Sequence, residues 1–443
     1  MVSTLDKLLF NLPEVSHPTE KKVSFKTKIK WTLITLVLFF VLGVVPLYGA
    51  DASVLQQFEY LSILLGAQFG SLISLGIGPI VTASIVLQLL NGSGIVKFDL
   101  SSDNGKKRFQ GVQKLLAMFF ILFEAYIYVA VGGLKAMPGV SPVLIIGQLI
   151  LGGILIMFMD EVITKWGFGS GISLFIAANV SQSLFVRIFS PQHLQGSNYS
   201  VGALFALVQA FADNNPQTAG LMLAALLATA GVFLLVVYVQ SMNIEIPLSY
   251  GRVRGFGIRW PLKFLYTSNI PVILIAALMA NIQLFARLFG NNGSGGIIAW
   301  LQAPKLIELI IKGSVAPINF AQALVYLLIL VSGAVLFSMF WVQTSGLDAR
   351  SQAKKIMESG LQMPGFRRDA RVLEKVLNRY ITPLTVMGGI TVGLLAGLAD
   401  IAGALANGTG ILLAVMIIYQ LYEQIAQQHM MDMNPMMRKF MGK

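Results

Sequence analysis

Side chains able to move protons or hold a metal are scarce where this chain is most apolar. The long charge-poor runs contain one carboxylate well inside them, Glu124 within 115–134. At that depth a carboxylate has to face protein or water rather than lipid, and Thr82 or Asn281 would serve as its polar company. Asp160, Glu161, Glu245 and Asp400 sit near the ends of apolar runs, where interfacial, solvated carboxylates are expected. Cysteine is absent, which excludes disulfides and thiolate metal sites. No Gly-x4-Gly-Lys-Ser/Thr loop is present to bind a nucleotide. Neither a ring of acids nor a TVGYG-type loop is there to select ions. The pattern predicts no enzyme, no cofactor and no metal site.

What the spacing does offer is an apolar constriction. Ile77 and Val81 stand i, i+4 and share one helix face, and Ile172 and Ile176 repeat the spacing just after Gly169-Ser-Gly171. A waist lined with aliphatics excludes water and ions while binding nothing tightly. Any single Ile on a membrane helix is equally at home against lipid or a neighbouring helix, so the argument rests on where these four sit. Residues 60–96 carry no charge, a longer run than the roughly 20 residues of one straight span. Gly66, Gly70, Gly76 and Gly78 precede Pro79 inside it, and Gly-Pro interrupts helices. The run reads as a segment over 61–74 that dips in and stops, followed by a half-helix from Ile77 to Leu90. At ~1.5 Å per residue that half-helix covers about 21 Å, short of the roughly 30 Å hydrocarbon core. Broken backbone at membrane depth survives only where protein buries it or it lines a wet cavity. The competing reading is a plain kinked span with a loose tail.

The elements that must position these residues are membrane helices. The 443 residues are 56% hydrophobic and 12% charged, with a mean hydropathy of +0.74, the composition of a polytopic membrane protein. No cleavable signal peptide is visible at the start. Apolar spans are predicted at 31–49, 60–90 (the broken one), 115–134, 143–159 and 172–189, then at 221–242, 264–285, 321–341, 381–398 and 411–425. With both termini inside, segments 1–30, 97–114, 160–167, 243–263, 345–380 and 426–443 are internal and hold 27 of the 32 Lys and Arg; Lys135, Arg187, Arg287, Lys305 and Lys312 are external. That bias is a strong positive-inside signal.

The expected organisation is a basic cytoplasmic N-terminus (1–30), a five-helix half (31–189), an external hinge (190–219), a second five-helix half (220–425) and a cytoplasmic tail (426–443). The external piece 296–311 is apolar enough to lie in the interface plane. The halves echo each other. Gly169-Ser-Gly-Ile opens span five and Gly408-Thr-Gly-Ile opens span ten, while Gly78-Pro79 interrupts span two and Pro271 falls in span seven. Because five is odd, the counterparts run in opposite directions, the cue for an inverted repeat around a central pathway. The internal loops 243–263 and 345–380 are basic: Arg252, Arg254 and Arg259 in one, Arg350, Lys354, Lys355, Arg367, Arg368, Arg371, Lys375 and Arg379 in the other. Topology control with attraction to anionic lipid explains such charge; so does a docking surface for RNA or an acidic partner, which the length of the second loop favours.

Several motifs, in order, resemble the SecY family, the central subunits of the Sec protein-conducting channel, in its archaeal and eukaryotic branch. They are Leu75-Gly-Ile-Gly-Pro-Ile-Val-Thr-Ala-Ser-Ile-Val-Leu-Gln-Leu-Leu90, Asn243-Ile-Glu-Ile-Pro-Leu-Ser-Tyr-Gly-Arg252, Ser268-Asn-Ile-Pro-Val-Ile-Leu274, Asn281-Ile-Gln283, Gly365-Phe-Arg-Arg368 and Gly408-Thr-Gly-Ile-Leu-Leu413. The resemblance implies an all-α fold of ten transmembrane helices in two inverted halves around an hourglass pore. By motif, it implies a pore ring of Ile77, Val81, Ile172, Ile176, Ile273 and Leu413. It implies a plug over 61–74, with Leu61, Ile63, Leu64, Leu65, Gly66, Phe69 and Gly70. It implies a lateral gate between spans two/three and seven/eight with Thr82, Glu124 and Asn281 as its polar cluster, and ribosome docking through Arg252, Arg254, Arg367 and Arg368. Implied partners are SecE and Secβ, the ribosome with its RNA at the basic loops, a nascent polypeptide with its signal sequence, and membrane lipid. The implied work is passing unfolded polypeptide across the cell membrane and releasing apolar segments sideways into lipid. The rival readings are a secondary solute transporter with inverted repeats, which needs a coordinating charge pair at the midplane, and a structural or lipid-scrambling membrane protein.

Overall fold

The computed structural model describes residues 12–19, 23–50, 70–92, 95–96, 98, 102–130, 134–193, 199–250, 257–267, 270–288, 300–358, 361–362, 369–406 and 408–433. In chain order the first part holds α1 (Phe25–Val44), α2 (Gly78–Gly92), α3 (Asp103–Ala130), α4 (Pro142–Trp166) and α5 (Gly171–Phe189). Next come α6 (Ala203–Ala212), α7 (Pro216–Ser241), β1 (Asn243–Tyr250), β2 (Gly257–Lys263) and α8 (Ile270–Leu288). The chain then forms α9 (Leu306–Ile311), α10 (Pro317–Thr344), α11 (Ala349–Glu358), β3 (Leu361–Gln362), α12 (Ala370–Ile401) and α13 (Gly408–Met433). Among the described residues, eight helices are long and apolar enough to cross a membrane; Gly78–Asn91, Ala203–Ala212 and Ile270–Met279 are shorter apolar helices. Two of those short pieces fall in the predicted spans two and seven, the pair with matched interruptions.

Residues 60–96 are interrupted where the glycines predict it. Residues 70–77 are turns rather than helix, with Gly70 and Gly76 at φ of 80° and 58°, and α2 starts only at Gly78. The left-handed backbone that glycine adopts freely is what stops the helix here. Leu47 N–H donates to Gly70 O at 2.8 Å and Leu72 N–H donates to Val45 O at 2.9 Å, so the turn is pinned to the end of α1. These bonds remove the plain kinked span as a reading.

The two largest apolar clusters among the described residues lie in the helical body. One gathers Phe39, Ile80, Ala117, Ile156, Ile163 and Phe175 from α1 to α5. The other gathers Val236, Leu274, Leu330, Val392 and Met416 from α7, α8, α10, α12 and α13, together with Val81 and Ile85 of α2. Lipid is as apolar as these side chains, so close packing, not water exclusion, holds the helices together. Small residues mark the tight contacts. Added Cβ atoms on Gly389 and Gly393 of α12 would stand 3.0 and 2.8 Å from the Cα atoms of Val335 and Val331 on α10.

The expected all-α body carries one β addition. Residues 243–263, predicted only as a basic loop, form the hairpin β1–β2, and β3 extends it to a sheet of order β2-β1-β3. Period-two alternation builds it: Ile244 pairs with Leu262 and Ile246 with Trp260 on one face. Ile246 and Leu262 bury that face on α11 and α12 through Ala353, Ile356, Leu373 and Leu377. Glu245 and Arg259 form an exposed ion pair on the hairpin at 2.9 Å. The rest of 345–380 is also more ordered than a loop. It contains α11, whose Ala349, Gln352, Ala353 and Ile356 are buried, and the first turns of α12.

Lys28 near the start of α1 donates to Gln428 near the end of α13 at 2.9 Å, which defines a termini face of the molecule. Segment 12–19 lies on that face. Val15 N–H and Lys114 both bond Glu161, and Trp166 Nε1 donates to Ser16 O at 2.9 Å.

Candidate functional site

The six aliphatics come together from four helices. Val81 (α2), Ile273 (α8) and Leu413 (α13) are buried in the second cluster, and Ile77, the residue just before α2, packs on it with Ile172 and Ile176 (α5), partly buried. Ile77 and Ile172 also pack on the first cluster, so they stand where the two halves meet. The local reason is helical geometry: i, i+4 spacing puts Ile172 and Ile176 on one face of α5, and Val81 N–H donates to Ile77 O at 3.1 Å, so Ile77 sits one turn before Val81 at the start of α2. The surface they share offers no charge and no directional hydrogen bond.

α2 packs along a seam against α8 and α10 of the other half. Beside the seam, Thr82 Oγ1 donates to Gly78 O at 2.9 Å and reaches Glu124 Oε1 at 3.4 Å. Glu124 is 7% exposed, on α3, and a Cβ on Gly78 would stand 3.5 Å from its Oε2. The open question of its partner is answered for Thr82. Asn281 sits on α8, but its side chain lies outside the described residues.

Of the plug residues, Leu61, Ile63, Leu64, Leu65, Gly66 and Phe69 lie outside the described residues, and Gly70 is the first residue of the anchored turn. Arg252, Arg254, Arg367 and Arg368 also lie outside them. Their segments start from one sheet, since 251–256 joins β1 to β2 and 363–368 follows β3, which pairs with β1 through Ser249–Gln362 and Tyr250–Leu361. Lys263 at the end of β2 is ion-paired with Glu423 of α13, which ties the root of that sheet to the helix that carries Leu413. Among the described residues, no group of three or more His, Cys, Asp or Glu could hold a metal ion.

The expectation that Asp160 and Asp400 are solvated at the interface is overturned. Each accepts a backbone N–H from the next helix: Ile172 N to Asp160 Oδ1 at 2.9 Å, and Gly408 N to Asp400 Oδ1 at 2.5 Å. Free N–H groups at a helix start need acceptors, and in an apolar surrounding a neighbouring carboxylate is a better one than distant water. Sequence reading missed this function, although a signal was there: each aspartate shortly precedes a Gly-x-Gly helix opening.

Two sets of apolar helices joined by a shared aliphatic cluster, with a polar pair beside a helix seam, are the build of a polytopic membrane protein. The family model for SecY matches residues 71–422, and that for the plug domain of Sec61p matches residues 37–70. The chain therefore belongs to the SecY family. It is 44% identical to the protein translocase subunit SecY of Methanothermobacter thermautotrophicus, covering 97% of each chain. It is 40% identical to that of Methanocaldococcus jannaschii, covering 98% of this chain and 99% of the other. A solved structure described as that of a protein-conducting channel superposes with a TM-score of 0.81 at 39% identity over 96% of each chain. Sec61 in a canine ribosome–channel complex superposes with a TM-score of 0.78 at 39% identity, also over 96% of each.

Proposed function

We infer that this chain is the pore-forming subunit of a Sec-type protein-conducting channel, passing unfolded polypeptide across the membrane and releasing apolar segments into lipid. The observation that carries the reading is the convergence of Ile77, Val81, Ile172, Ile176, Ile273 and Leu413 on one cluster at the junction of the halves. A collar of branched aliphatics suits a pore that must be ion-tight when shut and must pass any side chain when open. It performs no bond chemistry, so the driving energy comes from a partner.

Ten spans cross the membrane in two inverted halves, with both termini cytoplasmic; the Lys and Arg distribution supports that orientation in the plasma membrane. Thr82 and Glu124, with Asn281, form the polar latch of a lateral gate between α2/α3 and α8/α10. Residues 61–74 plug the pore from outside. Arg252, Arg254, Arg367 and Arg368 present cationic loops to the ribosome and its RNA. SecE and Secβ complete the assembly.

The decisive experiment places a photo-crosslinker at Ile77 or Ile273 and stalls a nascent chain in the channel. Crosslinks to the nascent chain at both positions, and none from lipid-facing Val37 of α1 before release, are expected. Labelling of lipid alone at Ile77 and Ile273 would remove them from the pathway.

A further inference from the structure

Two of the four helices that carry the aliphatics, α5 and α13, start at opposite faces and are each hooked at the first turn by an aspartate of the preceding helix. α5 starts at the termini face: Phe168 N–H, just before it, donates to Thr32 Oγ1 of α1 at 3.1 Å. α13 ends at that face, through the Lys28–Gln428 bond, and so starts at the other. At the start of α5 the N-cap Ser170 makes no side-chain capping bond. Asp160 of α4 supplies the acceptor instead, to Ile172 N–H at 2.9 Å. At the start of α13, Asp400 of α12 takes Gly408 N–H at 2.5 Å on Oδ1 and the Tyr326 hydroxyl of α10 at 2.7 Å on Oδ2.

Both hooks need glycine at the helix start. An added Cβ on Gly171 would stand 2.6 Å from Asp160 Cα, and one on Gly408 would stand 2.7 Å from Asp400 N and 2.4 Å from Ala396 O. The matched pairs, Asp160 with Gly171 and Asp400 with Gly408, are one device used once in each half. Negative charge at a helix N-terminus is favourable both by hydrogen bonding and by the helix dipole. The device sits where it sets the waist. The N–H that Asp160 holds belongs to Ile172 itself, and Leu413 lies on α13 just past Gly408.

We propose that Asp160 and Asp400 are positioning residues of the constriction, fixing the depth and rotation of α5 and α13 so that Ile172, Ile176 and Leu413 close the waist. Tyr326 steadies the second hook from α10, a helix that packs on α2 at the gate seam. The proposal rests on the pore-ring reading above and deepens it. Losing an acceptor frees the first turn to shift, and the aliphatic collar then no longer meets.

The test compares full-length channels in planar bilayers by resting ion conductance per inserted channel, and in cells by export of a substrate with a defective signal sequence. Asp160→Ala and Asp400→Ala are each expected to raise resting conductance roughly tenfold, the factor that follows from losing one helix cap. Both should pass defective signals. Asp160→Asn keeps an oxygen acceptor for the Ile172 N–H and is expected to stay tight, whereas Asp400→Asn leaves one acceptor oxygen for the two donors Gly408 N–H and Tyr326 hydroxyl and is expected to leak as Tyr326→Phe does. A merely structural role would lower the yield of folded channel but leave each folded channel sealed. If the alanine variants do not fold, Tyr326→Phe decides, since it removes one hydroxyl and should still leak. A charged triple variant at Ile77, Ile172 and Ile273 runs alongside. If it leaks while the aspartate and tyrosine variants stay tight, the positioning role falls and the ring stands. If the triple variant itself stays tight, the ring reading falls and the positioning role with it.

Discussion

The carbonyl oxygen of Leu72 lies 1.8 Å from the place a Cβ on Gly152 would occupy. The turn before α2 is thus seated in a notch that α4 keeps open by having no side chain there. Gly152→Ala cannot be absorbed by a flexible side chain, because the neighbour is backbone. A cost of about 1–3 kcal/mol is expected from such overpacking. The measurable result is a lower melting temperature in detergent, together with raised resting conductance as the turn is pushed off its seat. Unchanged melting would mean that the turn is not held there.

Charged residues placed together at Ile77, Ile172 and Ile273 should hydrate the waist and favour opening. An unpaired charge in a dry site costs on the order of 3 kcal/mol or more, so the shut state loses most. The channel should leak ions and export substrates with defective signals. Glycine at the same positions should leak by widening the gap. Normal expression with intact ion-tightness and signal rejection would place the seal elsewhere.

Deleting residues 61–69 while keeping the anchored turn at 70–77 should raise resting conductance without stopping translocation. A glycine-bearing, charge-free segment is cheap to displace. Conductance equal to the parent's would count against a plug in that segment.

Charge reversal at Arg252, Arg254, Arg367 and Arg368 should weaken ribosome binding, and parental binding should fall as salt rises. Sedimentation with ribosomes at low and moderate salt reads both effects. Charge reversal at Arg259 is the milder control, since its guanidinium is already paired with Glu245 at 2.9 Å. Equal affinity of the fourfold variant and the parent would end the docking assignment.

Docking of the N-terminal segment should weaken in acid. The Glu14 carboxylate is held below its ordinary range, chiefly by the hydrogen bond from Lys165 Nζ at 3.1 Å. A lowered carboxylate contributes stability that is fully present above its unfolded value of about 4.3 and is lost as pH falls through the folded value. The effect is small, because Glu14 is largely exposed and Lys165 also donates to Val15 O at 2.7 Å. Protease cleavage within 12–19 should therefore rise modestly below about pH 4.3, and the rise should vanish in Glu14→Gln. An identical acid profile in the variant would assign the loss to other groups.

Much of this molecule was legible along the chain because the signals are local. Long apolar stretches mark the membrane helices. Gly76, Gly78 and Pro79 mark the break before α2, since backbone freedom and a missing donor act at the residue that carries them. The i, i+4 pairs Ile77/Val81 and Ile172/Ile176 mark faces for the same reason. The hairpin 243–263 was readable in principle, but its two prolines and its arginines masked a short period-two pattern.

Other relationships depend on chain segments folding back on one another. Hydropathy places Asp160 and Asp400 at the ends of apolar runs, and an end in sequence looks like an end in water. Only the fold turns α5 and α13 back so that Ile172 and Gly408 present N–H groups to those carboxylates. Likewise, nothing local tells Glu124 that Thr82 is beside it, or Gly152 that Leu72 requires its missing side chain. By itself the sequence determined which segments are helices in lipid, where they break and which faces are aliphatic, because those follow from each residue's own transfer energy and backbone freedom. The tertiary structure decided which aliphatic faces pack together and which polar groups are paired. Partners in a packed membrane protein are chosen by close fit between helices far apart in the chain.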